Sequence, residues 1–410
     1  MLYTNRIILF LSCFIFVMVP VFANEFPKPS QEMIERVARL KVKGLTLIDY
    51  HIHLRGGMTA EKAFDWEQQS GIKSGVLENT GKDWPLSDNK KLAAFIEDAQ
   101  RFPLLIGIQV NDRDWYKTTD KKLLAKLNYV LADTMIMNDE TGKPQKLWLE
   151  NQYAIKDVQS WLERYWEHCK TVVNEPITIL ANPTYLPPRM EQYYDTFWTE
   201  ERIGQFLDAG IKNGVAFEIQ SPSKFPKRIF IELARKKGAK LTIGRNNHDD
   251  HPEELKRSLD LLEEFNITPN ELLVLPDILI EGSFEKYGNF KPEDLGFKAI
   301  NKIVSGFQLL QIGFSQGTYE DRISFSFTYV EKEASNRMMK VFVSIYDKEK
   351  KIIGGAERIL IDPRINVRNG KPSNMEFFEP ISALSVSLNK AKNISHISRI
   401  EIAMMEVETL

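Results

Sequence analysis

The chain has 410 residues, of which 43% are hydrophobic and 27% are charged, as expected of a soluble protein with room for two domains. Its 54 lysines and arginines nearly balance 56 aspartates and glutamates, which leaves a formal net charge of −2. This balance excludes the basic surplus that is typical of nucleic-acid-binding proteins.

The first residues predict a secretory signal peptide. Arg6 precedes an apolar run over 7–22, and Val21-Phe22-Ala23 offers a cleavage site with small flanking residues. The run is short for a bilayer span of about 20 residues, and Pro20 lies within it. We therefore expect residues 1–23 to be removed on export to the periplasm or medium, with no membrane contact afterwards. An uncleaved anchor is the alternative.

After a lead-in over 24–43, short apolar runs alternate with amphipathic segments. Such runs, without strict polar alternation, are typical of strands that are covered on both faces. The predicted strands are 45–50, 74–77, 104–110, 129–132, 177–181, 215–219 and 241–244, and the predicted helices are 60–69, 92–101, 155–173, 200–212, 226–237 and 252–265. Seven βα units predict a closed α/β barrel over residues 44–285.

The pattern changes in the last quarter of the chain. Segments such as 322–330, 338–346, 352–361, 381–388 and 397–407 alternate apolar and polar residues between charged turns. We predict a small antiparallel β-sandwich over 300–410, joined to the barrel by a linker over 277–294. This domain could bind glycan, dimerise or cover the barrel, and neither its role nor the oligomeric state follows from the sequence.

Polar side chains follow nearly every predicted barrel strand. In α/β barrels the carboxyl ends of the strands meet at one mouth, so side chains distant in sequence become neighbours there. The most specific of these endings is His51-Ile52-His53, because two histidines two positions apart on a strand point to the same side and can share a metal ion.

The pattern resembles the polymerase-and-histidinol-phosphatase (PHP) family, whose first strand ends in His-x-His and whose fold is a distorted seven-stranded barrel. Further motifs agree in order: Ile106-Gly107-Ile108-Gln109 resembles the family's Gly-x-Glu, and Phe217-Glu218-Ile219-Gln220 resembles its Glu-Ile-Asn. The segment Ile243-Gly244-Arg245-Asn246-Asn247-His248 resembles its Ser-Asp-x-His ending. The resemblance spans about residues 44–265 and implies a metal-dependent hydrolase.

The metal ligands implied by this resemblance depart from the family pattern. Amides or a different acid replace the expected carboxylates and histidines at Gln109, Asp133, Asn182 and Asn246. Fewer anionic ligands weaken the neutralisation of a divalent charge, so a trinuclear site is not expected. The sequence predicts about one zinc or manganese ion, held by His51 and His53 with some of Gln109, Asp133, Asn182, Asn246 and His248.

Four charged residues are candidates for catalysis. Glu78 and Glu218 could shuttle a proton, and Arg55 and Arg245 could bind an anionic substrate. Trp84, Trp115 and Trp148 fall in or near loops after strands, where aromatic rings stack on sugars or close the core.

Three functions remain open on the sequence. The first is an exported metal-dependent hydrolase, a phosphoesterase acting on a small anionic substrate. The second is a carbohydrate hydrolase or lyase acting on a sugar. The third is a degenerate barrel that binds a ligand without turning it over, which Gln109 and Asn246 favour.

Overall fold

A computed structural model describes residues 26–407 apart from several gaps. The gaps are 222, 251–254, 296, 300–302, 305–306, 318–319, 330–337, 350, 362–364, 367–370, 373–381 and 389–391. The predicted signal peptide therefore lies outside the described residues.

Among the described residues, seven parallel strands close into a barrel. They are β1 (Ile48–His53), β2 (Lys73–Leu77), β3 (Leu105–Val110), β4 (Tyr129–Ala132), β5 (Ile179–Leu180), β6 (Ala216–Gln220) and β7 (Leu241–Gly244). Each strand pairs with the next along the chain, and β7 pairs with β1. The two residues Asn79–Thr80 extend β2 beside β3. The predicted seven-stranded α/β barrel is thus confirmed.

Helices cover the outside of the barrel, and five of the seven longer ones begin at a capping side chain. The longer ones are Gln31–Val42, Ala60–Ser70, Asn89–Ala99, Val158–Val173, Glu200–Asn213, Arg228–Lys237 and Lys256–Glu264. Side chains that accept a backbone N–H at their starts are those of Ser30, Thr59, Asp88, Asp157 and Thr199. None of the described helices combines the length and apolar character that a membrane span requires.

Shorter elements fill the loops of the barrel. They are the helices Trp115–Thr118, Lys121–Leu124 and Tyr194–Phe197, the 3₁₀ turns Glu150–Gln152, Pro188–Tyr193 and Pro269–Glu271, and the hairpin Ile136–Asn138 with Pro144–Lys146. The hairpin follows β4 and therefore lies at the carboxyl end of the barrel.

Two hydrophobic layers lie on the two faces of the barrel strands. The outer layer joins strand residues such as Ile52 and Ile243 to the helices. The inner layer contains Tyr50, Leu105 and Tyr129 and fills the lumen. A packed lumen leaves the carboxyl mouth as the part of the barrel where polar side chains can gather.

The C-terminal part forms two five-stranded antiparallel sheets around one core, and Ile365–Asn366 pairs with Lys371–Pro372 in a separate two-stranded sheet. One contains Ile278–Glu281, Phe297–Ala299, Met338–Asp347, Ile352–Ile361 and Ile397–Val407, and the other contains Gly288–Phe290, Ile303–Val304, Phe307–Ser315, Arg322–Tyr329 and Ser382–Ser387. The predicted linker over 277–294 needs correction, because Ile278–Glu281 pairs with the last strand. Its alternation, with Ile278 and Ile280 fully buried, is that of a sheet strand.

Candidate active site

A bulge in β1 turns both histidines toward the lumen. Between Asp49 and Ile52 the pairing of β1 with β2 shifts by one residue. Because of this extra residue, Tyr50 and His51 both face inward, whereas Ile52 packs in the outer layer. His51 and His53 are fully buried, and their ring centroids lie 5.2 Å apart. His248 stacks on His53 at 4.8 Å.

His51 belongs to a series of hydrogen bonds that links side chains at the carboxyl ends of four strands. Its Nδ1 is 2.8 Å from Glu218 Oε1, and its Nε2 is 3.2 Å from Gln109 Oε1. Gln109 Nε2 in turn donates to Asp133 Oδ2 at 2.7 Å. Since an amide oxygen only accepts hydrogen bonds, His51 Nε2 carries a proton in this arrangement, and Nδ1 donates to the carboxylate. Each hydrogen bond in this series therefore has both a donor and an acceptor when His51 is protonated.

The charges around His51 agree with this assignment. Burial by itself would lower the pKa of His51, but the negative charge and hydrogen bond of Glu218 outweigh it and raise the pKa. Burial raises the pKa of Asp133, against the hydrogen bond that Met135 donates to it. The pair of His51 and Glu218 is fully buried on both sides.

His53 belongs to a second cluster, centred on Arg55. Arg55 Nε donates to Glu78 Oε2 at 3.0 Å, and Arg55 Nη2 donates to His53 Nδ1 at 2.9 Å. Arg55 Nη2 also contacts Glu78 Oε1 and Asn79 Oδ1. Burial lowers the pKa of His53 to about 3, so the ring is neutral and accepts at Nδ1. Its proton is then on Nε2.

Glu78 is held ionised in the same cluster. Burial alone would raise the pKa of Glu78, but hydrogen bonds from Arg55 and from the backbone N–H of Asn79 lower it below its usual value. The carboxylate thus neutralises Arg55 rather than remaining free to move a proton.

Several buried polar atoms of the mouth have no hydrogen-bond partner among the described residues. They are His53 Nε2, Asn111 Nδ2, Glu218 Oε2, Gln220 Nε2, Thr242 Oγ1 and Asn247 Oδ1. Buried polar groups are normally satisfied, and each exception costs about 1–3 kcal/mol. A group of such atoms at the carboxyl ends of adjacent strands is therefore suited to binding a polar ligand.

Arg245 requires a correction of its expected role. It follows β7 on the outer face, is 1% exposed, and forms an ion pair with Asp49. Its guanidinium also lies 4.7 Å from the centroid of the Trp66 ring. Arg245 therefore joins the barrel to the helix Ala60–Ser70 and does not face a substrate in the lumen.

Asn182 and Asn246 lie at the carboxyl ends of β5 and β7 in left-handed backbone conformations, with φ of 48° and 52°. The N–H of Asn246 donates to the carbonyl oxygen of His51 at 2.8 Å. In the part of the chain that the structure describes, neither amide side chain forms a hydrogen bond with the histidines. Their contribution here is to shape the loops, since asparagine tolerates this conformation better than most residues.

Gly244 has a role in the site that the sequence pattern did not predict. A Cβ at this position would lie 2.0 Å from Glu218 Oε1 and 2.8 Å from His51 Cβ. The signal was present, because a glycine inside a strand often marks a close approach of another group.

A divalent metal ion does not fit these residues as they are arranged. His51 Nδ1 and Nε2 lie 2.8 Å and 3.2 Å from Glu218 and Gln109, and His53 Nδ1 lies 2.9 Å from Arg55 Nη2, so three of the four imidazole nitrogens are already engaged by other side chains. No group of three or more His, Cys, Asp or Glu side chains in the described ranges is arranged to hold an ion. No step of the proposed chemistry is therefore assigned to a metal.

Comparisons with known proteins leave the family open. No family model matches the chain, and no curated protein matches its sequence. A chain of the archaeal ribonuclease P complex with mature tRNA is 13% identical, with 54% of this chain and 83% of that chain covered and a TM-score of 0.31. The mannotriose complex of Thermomonospora fusca β-mannanase is 13% identical, covering 54% and 76%, with a TM-score of 0.33. Similarity at this level gives no information on substrate or activity, and the PHP resemblance stays a prediction.

Proposed function

We propose that the barrel is the catalytic domain of an exported hydrolase that cleaves a small anionic ester, in the first place a phosphoester. The observation that carries this proposal is the buried pair of His51 and Glu218, which is connected through Gln109 to Asp133. Buried, charge-coupled groups at a barrel mouth are characteristic of catalytic sites.

The proposed reaction uses Glu218 as the general base. His51 donates to Oε1 and fixes the carboxylate, while Oε2 is without a partner among the described residues and can take a proton from an attacking water. The water oxygen bonds to phosphorus as the P–O bond to the alcohol breaks, and the departing alkoxide takes a proton from solvent. Arg55, which is 26% exposed at its side chain, can bind the negative charge of the ester together with the N–H at His53 Nε2. Such donors stabilise charge that develops in the transition state.

A carbohydrate hydrolase or lyase is the second candidate. Lys146 lies 4.6 Å from the ring centroid of Trp84 and 6.0 Å from that of Trp148, which is 38% exposed. These residues follow β2 and β4 and so lie at the same end of the barrel as the acidic groups. Aromatic rings in such positions can stack on a sugar, and Glu218 would then supply one of the carboxylates that glycoside hydrolysis requires.

The test is an assay of the mature protein against phosphoesters, carboxylic esters and glycosides. We expect hydrolysis of a phosphoester and a loss of at least about 100-fold in kcat for Glu218→Gln, because the substituted amide cannot accept the proton. Glu140→Gln, on an exposed residue of the hairpin, is the matched control and should retain wild-type activity.

Each other outcome has a defined meaning. Preferential cleavage of glycosides would favour the carbohydrate enzyme. Full activity in Glu218→Gln would refute the assigned base. A protein that binds one of these compounds in calorimetry but converts none would be a binding barrel.

A further inference from the structure

Arg55 covers the acceptor atoms that a metal ion would need at this end of the site. Its guanidinium contacts His53 Nδ1, both carboxylate oxygens of Glu78 and the amide oxygen of Asn79. Imidazole nitrogen, carboxylate oxygen and amide oxygen are the donor types that divalent ions take from proteins. One positively charged side chain thus engages four atoms that could serve as ligands.

The backbone brings Arg55 to this position. Gly56 and Gly57 have φ of 59° and 97°, so the chain turns back immediately after Arg55. A Cβ at Gly56 would lie 2.4 Å from the carbonyl oxygen of His248, which shows how closely the loops after β1 and β7 pack. Lys62 fixes the turn by donating to Gly57 O at 2.9 Å and to Asp250 at 2.6 Å.

The charge at this place is already balanced. Glu78 is 5% exposed at its side chain and is paired with Arg55, so the carboxylate is not free to neutralise a second cation. A divalent ion at the same acceptor atoms would also meet the guanidinium at contact distance and be repelled.

We propose that Arg55 is the built-in cation of this site, in place of a divalent metal ion. Removal of its guanidinium should uncover a metal site formed by His53, Glu78 and Asn79. The inference concerns the cluster of the proposed hydrolase but is judged on metal binding alone. A failure to find hydrolysis would leave it intact, and its own failure would leave the hydrolase proposal intact.

The experiment measures Zn²⁺ and Mn²⁺ binding by calorimetry, together with metal content after dialysis. The wild type should retain almost no metal, whereas Arg55→Ala should bind about one Zn²⁺ per chain, about 100-fold more tightly than the wild type. Arg55→Lys keeps a positive charge and should show no gain. Arg113→Ala removes another arginine that pairs with a buried glutamate, Glu175, and should leave metal binding unchanged.

A second variant locates the gained site. Arg55→Ala combined with Glu78→Gln should lose the gain, because a carboxylate ligand is removed. Thermal unfolding checks that each variant is folded, and Arg55→Met, which keeps the aliphatic stem, replaces Arg55→Ala if that variant is not. Tight binding by the wild type, no gain in the Arg55 variant, or a gain that survives in the double variant would each overturn the inference.

Discussion

At the scale of single residues, Gly244 decides whether the buried pair of His51 and Glu218 can form. Gly244→Ala would place a methyl group 2.0 Å from Glu218 Oε1 and force the carboxylate away from His51. We expect a loss of at least about 100-fold in kcat and a destabilisation of about 1–3 kcal/mol from overpacking. The His51 pKa, followed by NMR, should fall toward its ordinary value because the partner carboxylate is displaced.

Gly204→Ala is the matched control for this substitution. Its Cβ would lie 3.3 Å from Lys237 Cε, the end of a flexible side chain, and Gly204 belongs to the helix Glu200–Asn213. Alanine there should be neutral or slightly stabilising. An unchanged His51 pKa in the Gly244 variant would contradict the assigned role.

The ion pair of Asp49 and Arg245 leads to a separate prediction about the free energy of unfolding. Both side chains are almost completely buried, at 1% and 0% exposure. Asp49→Asn leaves a buried guanidinium without its counter-charge, so we expect a loss of about 3–5 kcal/mol in urea unfolding. Asp49→Leu with Arg245→Met should recover much of that loss, because no charge then remains buried. A loss below about 1 kcal/mol in the single variant would contradict this account.

The different outcomes for Arg55 and Arg245 show what the sequence could and could not predict. Alternation alone places Arg245 outward, since Leu241 and Ile243 pack in the outer layer and Gly244 faces the lumen. The position of Arg55 depends instead on a partner 23 residues later and on the turn at Gly56, which no local pattern reveals.

At the scale of secondary-structure elements, two glycines in β2 and β3 make room for the Tyr129 ring in the lumen. A Cβ at Gly107 would lie 2.4 Å from the ring, and one at Gly75 would lie 2.9 Å from its hydroxyl oxygen. The Tyr129 hydroxyl donates to the carbonyl oxygen of Tyr50 at 2.8 Å. The ring therefore ties β4 to β1 across the barrel.

Gly107→Ala should accordingly destabilise the barrel by about 1–3 kcal/mol, because the new methyl group would overlap the buried ring. Tyr129→Phe keeps the ring and removes only the hydroxyl, so it should cost about 1 kcal/mol. The double variant Gly107→Ala with Tyr129→Leu should lose less unfolding free energy than the two single variants lose in sum. Urea unfolding of all three variants measures this difference. Additive losses would mean that the alanine acts elsewhere.

The barrel elements were predictable because apolar runs and amphipathic helices alternate at regular intervals. The bulge in β1 was not, since the shift after Asp49 arises from pairing with β2 and leaves no mark in the sequence. The sequence predicts a linker at Ile278–Glu281 because this strand is short and its partner in the sheet lies more than 100 residues later.

At the scale of the whole molecule, Asp277 connects the barrel to the C-terminal sheets. Its side chain forms an ion pair with Lys73 of β2 and accepts a hydrogen bond from the backbone N–H of Met404 at 2.7 Å. Asp277 is 1% exposed. Glu67 lies close to this ion pair and accepts from Ser74 N at 2.7 Å.

Glu67 makes the stability of this junction depend on pH. Burial raises the pKa of Glu67 from 4.5 to about 7, against the opposing charge of Lys73. A raised pKa in the folded state means that the contribution of Glu67 to stability is complete below pH 4.5 and is lost as the pH rises through about 7.

Glu67→Gln keeps an oxygen that can accept from Ser74 but carries no charge. Relative to the wild type, it should therefore gain up to about 3 kcal/mol of unfolding free energy between pH 5 and pH 8. Urea unfolding at both pH values measures this difference, with the exposed Glu61→Gln on the same helix as control. An equal difference at the two pH values would show that Glu67 is already ionised in the folded protein at low pH, so that its burial at the junction imposes no penalty.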